Sequence, residues 1–193
     1  MPPAKNGDYA WMQHMIKSMA SATGRMAVVL PHGVLFRLGK EGEIRRKILQ
    51  MDILDSVIGL GQNLFYGTSI AACVLVFRQR KARDRRKKVL VIDASREFKG
   101  GRAQNELLPE HGERIYGWYR NYQDVEGIAR VVTLNDIAAN DHNLNIPLYV
   151  APRDERELAT VDEAMGRLQR GATAAFALEE ELIAILRREW LLS

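Results

Sequence analysis

The sequence predicts an α/β fold, because apolar runs with the character of strands alternate with a helical pattern. Residues 26–30, 53–60 and 70–78 have the length and the β-branched content of buried strands. An amphipathic pattern at residues 41–51 predicts a helix between the first two runs, and a further apolar run follows at 89–92. Strand, helix and strand in this order are typical of an α/β layer.

Helices are predicted at both ends of the chain. Residues 9–20 carry apolar side chains at helical spacing, with Asp8 as the expected N-cap. Residues 154–170 and 172–192 are two amphipathic patterns separated at Gly171, which predicts a helical hairpin or one long interrupted helix. Their apolar stripes are Leu158, Val161, Met165 and Leu168, then Phe176, Leu178, Leu182, Ile185 and Leu186.

Two stretches between these elements lead to further expectations. Residues 26–30 are apolar without interruption, which predicts a strand covered on both faces. Residues 98–134 are polar with scattered aromatic side chains, and they predict short helices.

Composition excludes several classes of protein. The 193 residues are 47% hydrophobic and 27% charged, a mixture typical of a globular chain and not of a disordered one. No apolar run has the length of a membrane span, and the first residues do not resemble a signal peptide, so we expect no membrane partner. The single cysteine, Cys73, lies in an apolar run and predicts a buried thiol in the reducing cytoplasm.

The net charge and the spacing of possible metal-binding residues limit the partners that we expect. The net charge of +4 and the pI near 9.3 mildly favour a polyanionic partner. No cluster of His and Cys has the spacing of a metal site, so we expect no bound metal.

The sequence does not contain the segment with which a nucleotide-binding α/β domain begins. Such domains open with a strand, a Gly-rich turn and a helix that together hold the cofactor. Gly33, Gly39 and Gly42 are too widely spaced to form one such turn. Gly100 and Gly101 follow no strand–turn–helix pattern. We therefore expect the late strands of a larger sheet, with an edge that is exposed unless a partner covers it.

Four segments carry a resemblance to one family of enzymes. They are PPAKNGDYAWMQHMIKSM at 2–19, GRMAVVLPHGVLFR at 24–37, GLGQNLFYGTSIAACVLVF at 59–77 and NDHNLNIPLYV at 140–150. In this order they resemble the region downstream of the catalytic loop in the DNA adenine-N6 methyltransferase (modification) subunit of type I restriction-modification systems. The resemblance covers residues 2–150 and is weaker between 98 and 134.

The resemblance implies part of a Rossmann-like, S-adenosylmethionine-dependent methyltransferase. Residues 1–150 would hold the late strands of the catalytic domain, one of them antiparallel, and residues 151–193 a helical tail for subunit interaction. The complete enzyme would transfer a methyl group from S-adenosylmethionine to adenine flipped out of DNA. The family's Asn-Pro-Pro-Phe loop and Phe-x-Gly-x-Gly turn do not occur here, and Met1-Pro2-Pro3-Ala4 lacks both the polar acceptor and the aromatic residue. We therefore expect no catalytic or cofactor residue in this chain and no methylation by the chain alone.

Phe65 is the residue to which a family role carries over. It lies in the loop between the runs at 53–60 and 70–78, where related adenine methyltransferases place an aromatic side chain that stacks on the flipped base. Such stacking returns about 1–3 kcal/mol per base. Tyr66 is the alternative stacking residue, and the structural alternative is that Phe65 only plugs the end of the sheet.

The turn of Pro31, His32 and Gly33 follows a predicted strand at the end where α/β sheets form their sites. These residues are candidates to line a pocket, with Gly33 allowing close approach of the backbone. The alternative is a tight turn with His32 exposed and without a chemical role.

Residues 78–88 are the most basic segment of the chain. The candidate phosphate contacts are Arg78, Arg80, Lys81, Arg83, Arg85, Arg86, Lys87 and Lys88. Phosphate contacts would give affinity for DNA that is independent of sequence and sensitive to salt. The alternative is a solvated connection between two strands.

Partners also follow from the resemblance. They are DNA, the specificity and restriction subunits of a type I complex, and the N-terminal part of the chain's own methyltransferase subunit. The stripes of the helical tail suit docking on the long helices of a specificity subunit, or packing on the domain's own core. The main alternative function is a non-catalytic module that binds DNA or the specificity subunit, and the second is an unrelated basic nucleic-acid-binding protein.

Overall fold

The computed structural model describes residue 3 and residues 6–151 and 161–188. The chain divides into two compact units, Met1–Arg153 and Asp154–Ser193. Residues 154–160 and 189–192 of the predicted tail helices lie outside the described residues, as do Met1, Pro2 and Ala4 of the first proline segment.

The first unit alternates strands with helices, as the α/β prediction requires. Its elements are α1 Asp8–Ser18, β1 Arg25–Pro31, a 3-10 turn His32–Leu35, α2 Lys40–Gln50, β2 Leu54–Leu60, β3 Ala72–Arg78, a 3-10 turn Arg83–Arg85, β4 Lys88–Ala94, α3 Pro109–Asn121, β5 Ala129–Thr133, α4 Leu134–Ala139 and a 3-10 turn Ile146–Leu148. The second unit contains α5 Val161–Arg188.

The described strands form one mixed sheet in the order β1-β3-β2-β4-β5. β3 pairs antiparallel with β1 and β2, β2 pairs parallel with β4, and β4 pairs antiparallel with β5. β1, β2 and β4 therefore run in one direction, and β3 and β5 run in the other. The α/β class and an antiparallel strand are confirmed, and β5 adds a second antiparallel strand.

Each face of the sheet has its own hydrophobic core. Val57 and Ile58 of β2 belong to different cores, because successive side chains of a strand point to opposite faces. The core around Val57 includes Tyr9 of α1, and the core around Ile58 includes Ile115 of α3. Full burial of one such side chain contributes about 1.5–3 kcal/mol, so the sheet is held from both sides.

β1 lies at the end of the sheet, and the prediction that both of its faces are covered is wrong. Its residues alternate between exposed and partly buried, and Val29 is 51% exposed. Val28 and Leu30 pack against the core, whereas Val29 faces the open side. The apolar run is uninterrupted because both faces of β1 are apolar, although one face and one backbone edge have no partner among the described residues.

Helix α1 begins at Asp8 and not one residue later, so Gly7 is its N-cap and the predicted cap is wrong by one position. The Asp8 carboxylate instead accepts a hydrogen bond from Arg37 Nη1 at 2.9 Å. The buried Tyr9 donates its hydroxyl hydrogen to the carbonyl of Val34 at 2.7 Å. Both contacts fix α1 to the segment that follows β1.

Residues 98–134 contain a strand as well as the predicted helix. Pro109 occupies the first turn of α3, where its missing N–H group costs nothing. β5 pairs with β4 as the last strand of the sheet, and the prediction of helices alone is wrong here. β5 is only five residues long, and its sequence, ARVVT, does not alternate polar with apolar residues.

Helix α5 continues through Gly171, so a hairpin at this position is wrong within residues 161–188. A glycine inside a helix costs about 1 kcal/mol relative to alanine, and it does not by itself end the helix. Six large apolar side chains of α5 are exposed, whereas Ile183 and Leu186 are half-buried. The exposed ones are Met165, Leu168, Phe176, Leu178, Leu182 and Ile185.

Candidate functional site

Three parallel strands end at one edge of the sheet, and predicted site residues lie just beyond them. Pro31 ends β1, the loop 61–71 follows β2, and the loop 95–108 follows β4. Because β1, β2 and β4 run in the same direction, these segments meet at what we call the carboxyl edge. Sites in α/β sheets form at this edge.

Phe65 lines a shallow apolar cavity of about 200 Å³ at the carboxyl edge. The cavity walls are Val29, Leu30, Pro31, Phe65, Thr68, Ile70, Ala71 and Ala72. Phe65 is 40% exposed, so part of its ring packs on the wall and the rest faces solvent. A concave apolar surface with an accessible ring can bind a flat, weakly polar group by stacking.

The turn at the tip of the Phe65 loop separates the two aromatic candidates. Phe65 and Thr68 form an isolated antiparallel bridge, and Gly67 between them adopts a φ of +75°, which glycine reaches without steric cost. Tyr66 projects from the turn and is 94% exposed. Of the two rings, Phe65 is therefore the one that lines the cavity.

The structure brings Pro31 to the Phe65 cavity but not His32 or Gly33, which belong to the 3-10 turn after β1. His32 Nε2 is buried without a hydrogen-bond partner, and it would lie 3.6 Å from a Cβ built on Gly59. Burial lowers the pKa of His32, although a hydrogen bond with the backbone of Ala72 opposes this effect. The imidazole is therefore neutral near pH 7.

The basic loop, residues 78–88, lies at the opposite edge of the sheet from Phe65. β3 runs from Ala72, just after the Phe65 loop, to Arg78, where the basic loop begins. A seven-residue strand separates its two ends by roughly 20 Å. The two predicted groups of DNA contacts therefore do not form one continuous site.

Two of the predicted phosphate contacts surround a buried carboxylate. Asp55 is fully buried, and its Oδ2 accepts hydrogen bonds from Arg78 Nε at 3.1 Å and Arg85 Nη1 at 3.3 Å. The hydroxyl of Tyr119 donates to the same oxygen at 2.9 Å. The Arg85 guanidinium also lies 4.2 Å from the ring centroid of Tyr122. We call these residues the Asp55 cluster.

A third cation of the basic loop, Lys81, is also directed inward. Its side-chain ammonium donates to Asp52 Oδ1 at 2.7 Å and to the carbonyl of Lys88 at 2.6 Å, and the residue is only 6% exposed. The side chains that remain exposed along this loop are Arg80, Arg83, Arg86 and Lys87. The sequence shows that this segment is basic, but it does not show which of its cations form ion pairs within the protein.

The described residues contain neither a membrane-spanning helix nor a cluster of metal ligands. No helix there has both the length and the apolar character that crossing a membrane requires. No three His, Cys, Asp or Glu side chains in the same part of the chain are grouped closely enough to hold a metal ion.

The sheet and its carboxyl edge are those of an α/β methyltransferase domain. The chain belongs to the N-6 DNA methylase family, whose model matches residues 1–158.

Several methylase subunits are similar to this chain. The type I restriction enzyme MjaVII methylase subunit of Methanocaldococcus jannaschii is 39% identical over 159 residues, covering 81% of this chain and 27% of the relative. The HindI methylase subunit of Haemophilus influenzae is 28% identical over 196 residues, covering 97% of this chain and 44% of the relative. This chain thus spans less than half the length of either relative.

A solved structure shares the fold. The type I restriction-modification system methyltransferase subunit from Streptococcus thermophilus has 40% sequence identity and a TM-score of 0.72, covering 77% of this chain and 31% of that chain.

Methyltransferases of this family in general use S-adenosylmethionine. A cofactor of this kind is held by a Gly-rich turn between a strand and a helix. Among the described elements, β1 leads into a 3-10 turn through Pro31, and β2 and β4 lead into the loops 61–71 and 95–108. None of these three connections is a short Gly-rich turn that leads into an α-helix.

Proposed function

We propose that this chain is the base-contacting and subunit-binding part of a type I modification subunit. The complete subunit transfers a methyl group from S-adenosylmethionine to the N6 amine of adenine in DNA. The observation that carries the proposal is the accessible ring of Phe65 beside an apolar cavity, at the carboxyl edge of a sheet that belongs to the N-6 DNA methylase family.

Phe65 stacks on the adenine after the base has rotated out of the duplex. A flipped base loses its stacking neighbours, and an aromatic face restores about 1–3 kcal/mol of that loss. The exposed 40% of Phe65 is available to the base, while Pro31 and Ile70 support the cavity around it. Tyr66 lines no wall of the cavity, which favours Phe65 as the stacking residue.

The open edge of β1 pairs with the N-terminal part of the same methyltransferase subunit. Among the described residues β1 has a strand on one side only, and Val29 leaves apolar surface exposed beside the free edge. Such an edge promotes aggregation unless another strand or helix covers it. That N-terminal part supplies the cofactor turn and the polar loop that holds the amine, so residues 1–193 do not methylate DNA alone.

The exposed stripe of α5 binds a helix of the specificity subunit. Leu168, Gly171, Ala175, Leu178, Leu182 and Ile185 recur at alternating spacings of three and four residues. This is the spacing of a coiled-coil seam, and the small residues Gly171 and Ala175 allow a partner helix to approach closely. The restriction subunit completes the type I complex, with no surface assigned to it.

The exposed cations of the basic loop contact DNA phosphate away from the flipped base. Arg80, Arg83, Arg86 and Lys87 remain accessible, whereas Arg78, Lys81 and Arg85 hold the loop in place through Asp52 and Asp55. Lys88, half-buried at the start of β4, belongs with neither group. Phosphate contacts at this distance from Phe65 add affinity without reading the base.

The test is methyl transfer by the assembled modification enzyme with Phe65→Ala, Tyr66→Ala and Phe65→Trp. We expect Phe65→Ala to lower kcat/KM by roughly 5- to 150-fold, which corresponds to the stacking energy of one base. Phe65→Trp keeps an aromatic face and should retain most of the activity. An unchanged kcat/KM in Phe65→Ala would refute the assignment, and a loss confined to Tyr66→Ala would transfer the role to Tyr66.

A further inference from the structure

We propose that Gln104 and Asn105 are positioning residues for Phe65. Their side-chain amides hold the backbone of the Phe65 loop from the neighbouring loop, residues 95–108. The inference rests on the proposed function, because it assigns to these residues an effect on the base that Phe65 contacts.

The two amide side chains and one backbone N–H group bind three consecutive carbonyls just before Phe65. Asn105 Nδ2 donates to the carbonyl of Gln62 at 2.8 Å, and the backbone N–H of Asn105 donates to the carbonyl of Asn63 at 2.8 Å. Gln104 Nε2 donates to the carbonyl of Leu64 at 3.0 Å. We call this set of contacts the amide brace. It gives every carbonyl from 62 to 64 a partner, in a segment that belongs to no strand or helix.

The brace is reciprocal, which fixes both loops. Asn63 Nδ2 donates back to the carbonyl of Ala103 at 3.1 Å. Asn105 Oδ1 accepts from the backbone N–H of Gly101 at 3.4 Å, so both ends of the Asn105 amide are engaged. An amide side chain carries a donor and an acceptor on one short stem, and a carboxylate of the same shape lacks the donor.

Close packing at the base of the loops keeps them adjacent. A Cβ on Gly61 would lie 2.5 Å from the ring of Phe98, so the first residue of the Phe65 loop packs closely against the neighbouring loop. The two loops can shift relative to each other at this point only if that packing is broken. The direct consequence concerns Leu64, which precedes Phe65 and whose carbonyl is held by Gln104.

A small displacement of Phe65 is enough to affect the reaction. Stacking and methyl transfer require the base to lie close to one position, and an error of about 1 Å in placement costs activity out of proportion to any loss of stability. The brace lies on exposed or half-buried loops, so its removal should affect the placement of Phe65 more than the folding of the sheet.

The experiment compares Gln104→Ala, Asn105→Ala and Asn105→Asp with Gln62→Ala in the assembled modification enzyme. Gln62 is a matched control, because its backbone carbonyl is in the brace while its side chain is exposed. We expect each brace variant to lower kcat/KM for methyl transfer about fivefold, the factor of one net hydrogen bond, with a melting temperature close to that of the parent enzyme. Asn105→Asp should behave like Asn105→Ala, since it cannot donate to Gln62.

A double-mutant cycle separates this inference from the proposed function. If the brace acts through Phe65, Asn105→Ala should add little to the loss already caused by Phe65→Ala. Additive losses, or brace variants equal to Gln62→Ala, would overturn the inference while leaving Phe65 as the stacking residue. A Phe65→Ala variant with full activity would overturn the proposed function itself. A fivefold loss accompanied by a clearly lowered melting temperature would assign the brace a structural role only, against the inference.

Discussion

Replacement of Asp55 by asparagine should destabilise the domain, although the two side chains have nearly the same shape. Asp55 Oδ2 is shared by Arg78, Arg85 and Tyr119 on a residue with no exposed surface. The substitution removes the negative charge and leaves the two guanidinium groups facing an amide. The basic loop then loses both of the ion pairs, from Arg78 and Arg85, that attach it to Asp55.

The magnitude follows from burial on each side of the ion pairs. Removing one partner of a buried ion pair costs about 3–5 kcal/mol. The side chains of Arg78 and Arg85 are 25% and 16% exposed, so water partly compensates the two cations. We therefore expect a loss at the lower end, about 3 kcal/mol in the free energy of unfolding.

Urea denaturation followed by circular dichroism measures this loss, with Asp84→Asn as the matched control. Asp84 is an exposed carboxylate in the same basic loop, and its substitution should change stability by less than about 0.5 kcal/mol. If Asp55→Asn is no less stable than Asp84→Asn, the ion pairs at Asp55 do not anchor the loop.

Three further predictions concern the tail, the first helix and the basic loop. Leu178→Asp combined with Leu182→Asp should abolish capture of the specificity subunit in a pull-down, whereas Glu179→Asp should not; binding that survives would exclude the α5 seam. Burial raises the pKa of the Tyr9 hydroxyl to about 12, above the value near 10 in the unfolded chain. The contribution of the neutral hydroxyl to the free energy of unfolding is therefore fully present below pH 10 and is lost as the pH rises toward 12. Between pH 10 and 12, the free energy of unfolding measured by chemical denaturation should fall by about 2–3 kcal/mol less in Tyr9→Phe than in the parent. Equal falls in the two proteins would contradict this. Arg83→Gln with Arg86→Gln should reduce the slope of log affinity for DNA against log salt by about two, and an unchanged slope would remove these side chains from the phosphate contacts.

The strands were predictable because a buried strand shows a run of apolar residues along its own sequence. From Ala72 to Phe77, β3 contains valines and an aromatic residue without a polar interruption, and it is an internal strand that lies between β1 and β2. Helix α2 shows the three-to-four spacing of Ile44 and Ile48, both of which are buried. Each prediction required only residues within one element.

The failures arose where neighbours in space decide the outcome. The sequence of β1 is as apolar as a central strand, but whether its second face is covered depends on what packs there and not on β1. β5 is short, and its pairing with β4 depends on a strand far away in the chain. Gly171 is compatible with a break, yet the helix on either side of it is strong enough to continue.

The candidate site was only partly predictable for the same reason. Phe65 was found through a resemblance in its own loop, whereas Gln104 and Asn105 lie in a segment where the sequence shows no periodicity. Their role depends on carbonyls about 40 residues earlier in the chain. The adjacent amide residues Gln104 and Asn105 were the only local indication, and such pairs are common in exposed loops. The basic segment was recognised by its charge, but its inward ion pairs depend on Asp52 and Asp55 in and beside β2.

The most direct test of the central claim is a photochemical cross-link between the assembled enzyme and DNA that carries 5-iodouracil in place of the target adenine. An aromatic ring stacked on the flipped base should react, and mass spectrometry then identifies the modified residue. We predict that the cross-link maps to Phe65 and that the yield falls in Phe65→Ala. A cross-link that maps to the basic loop at 78–88, or one with undiminished yield in Phe65→Ala, would contradict the placement of the base at the carboxyl edge.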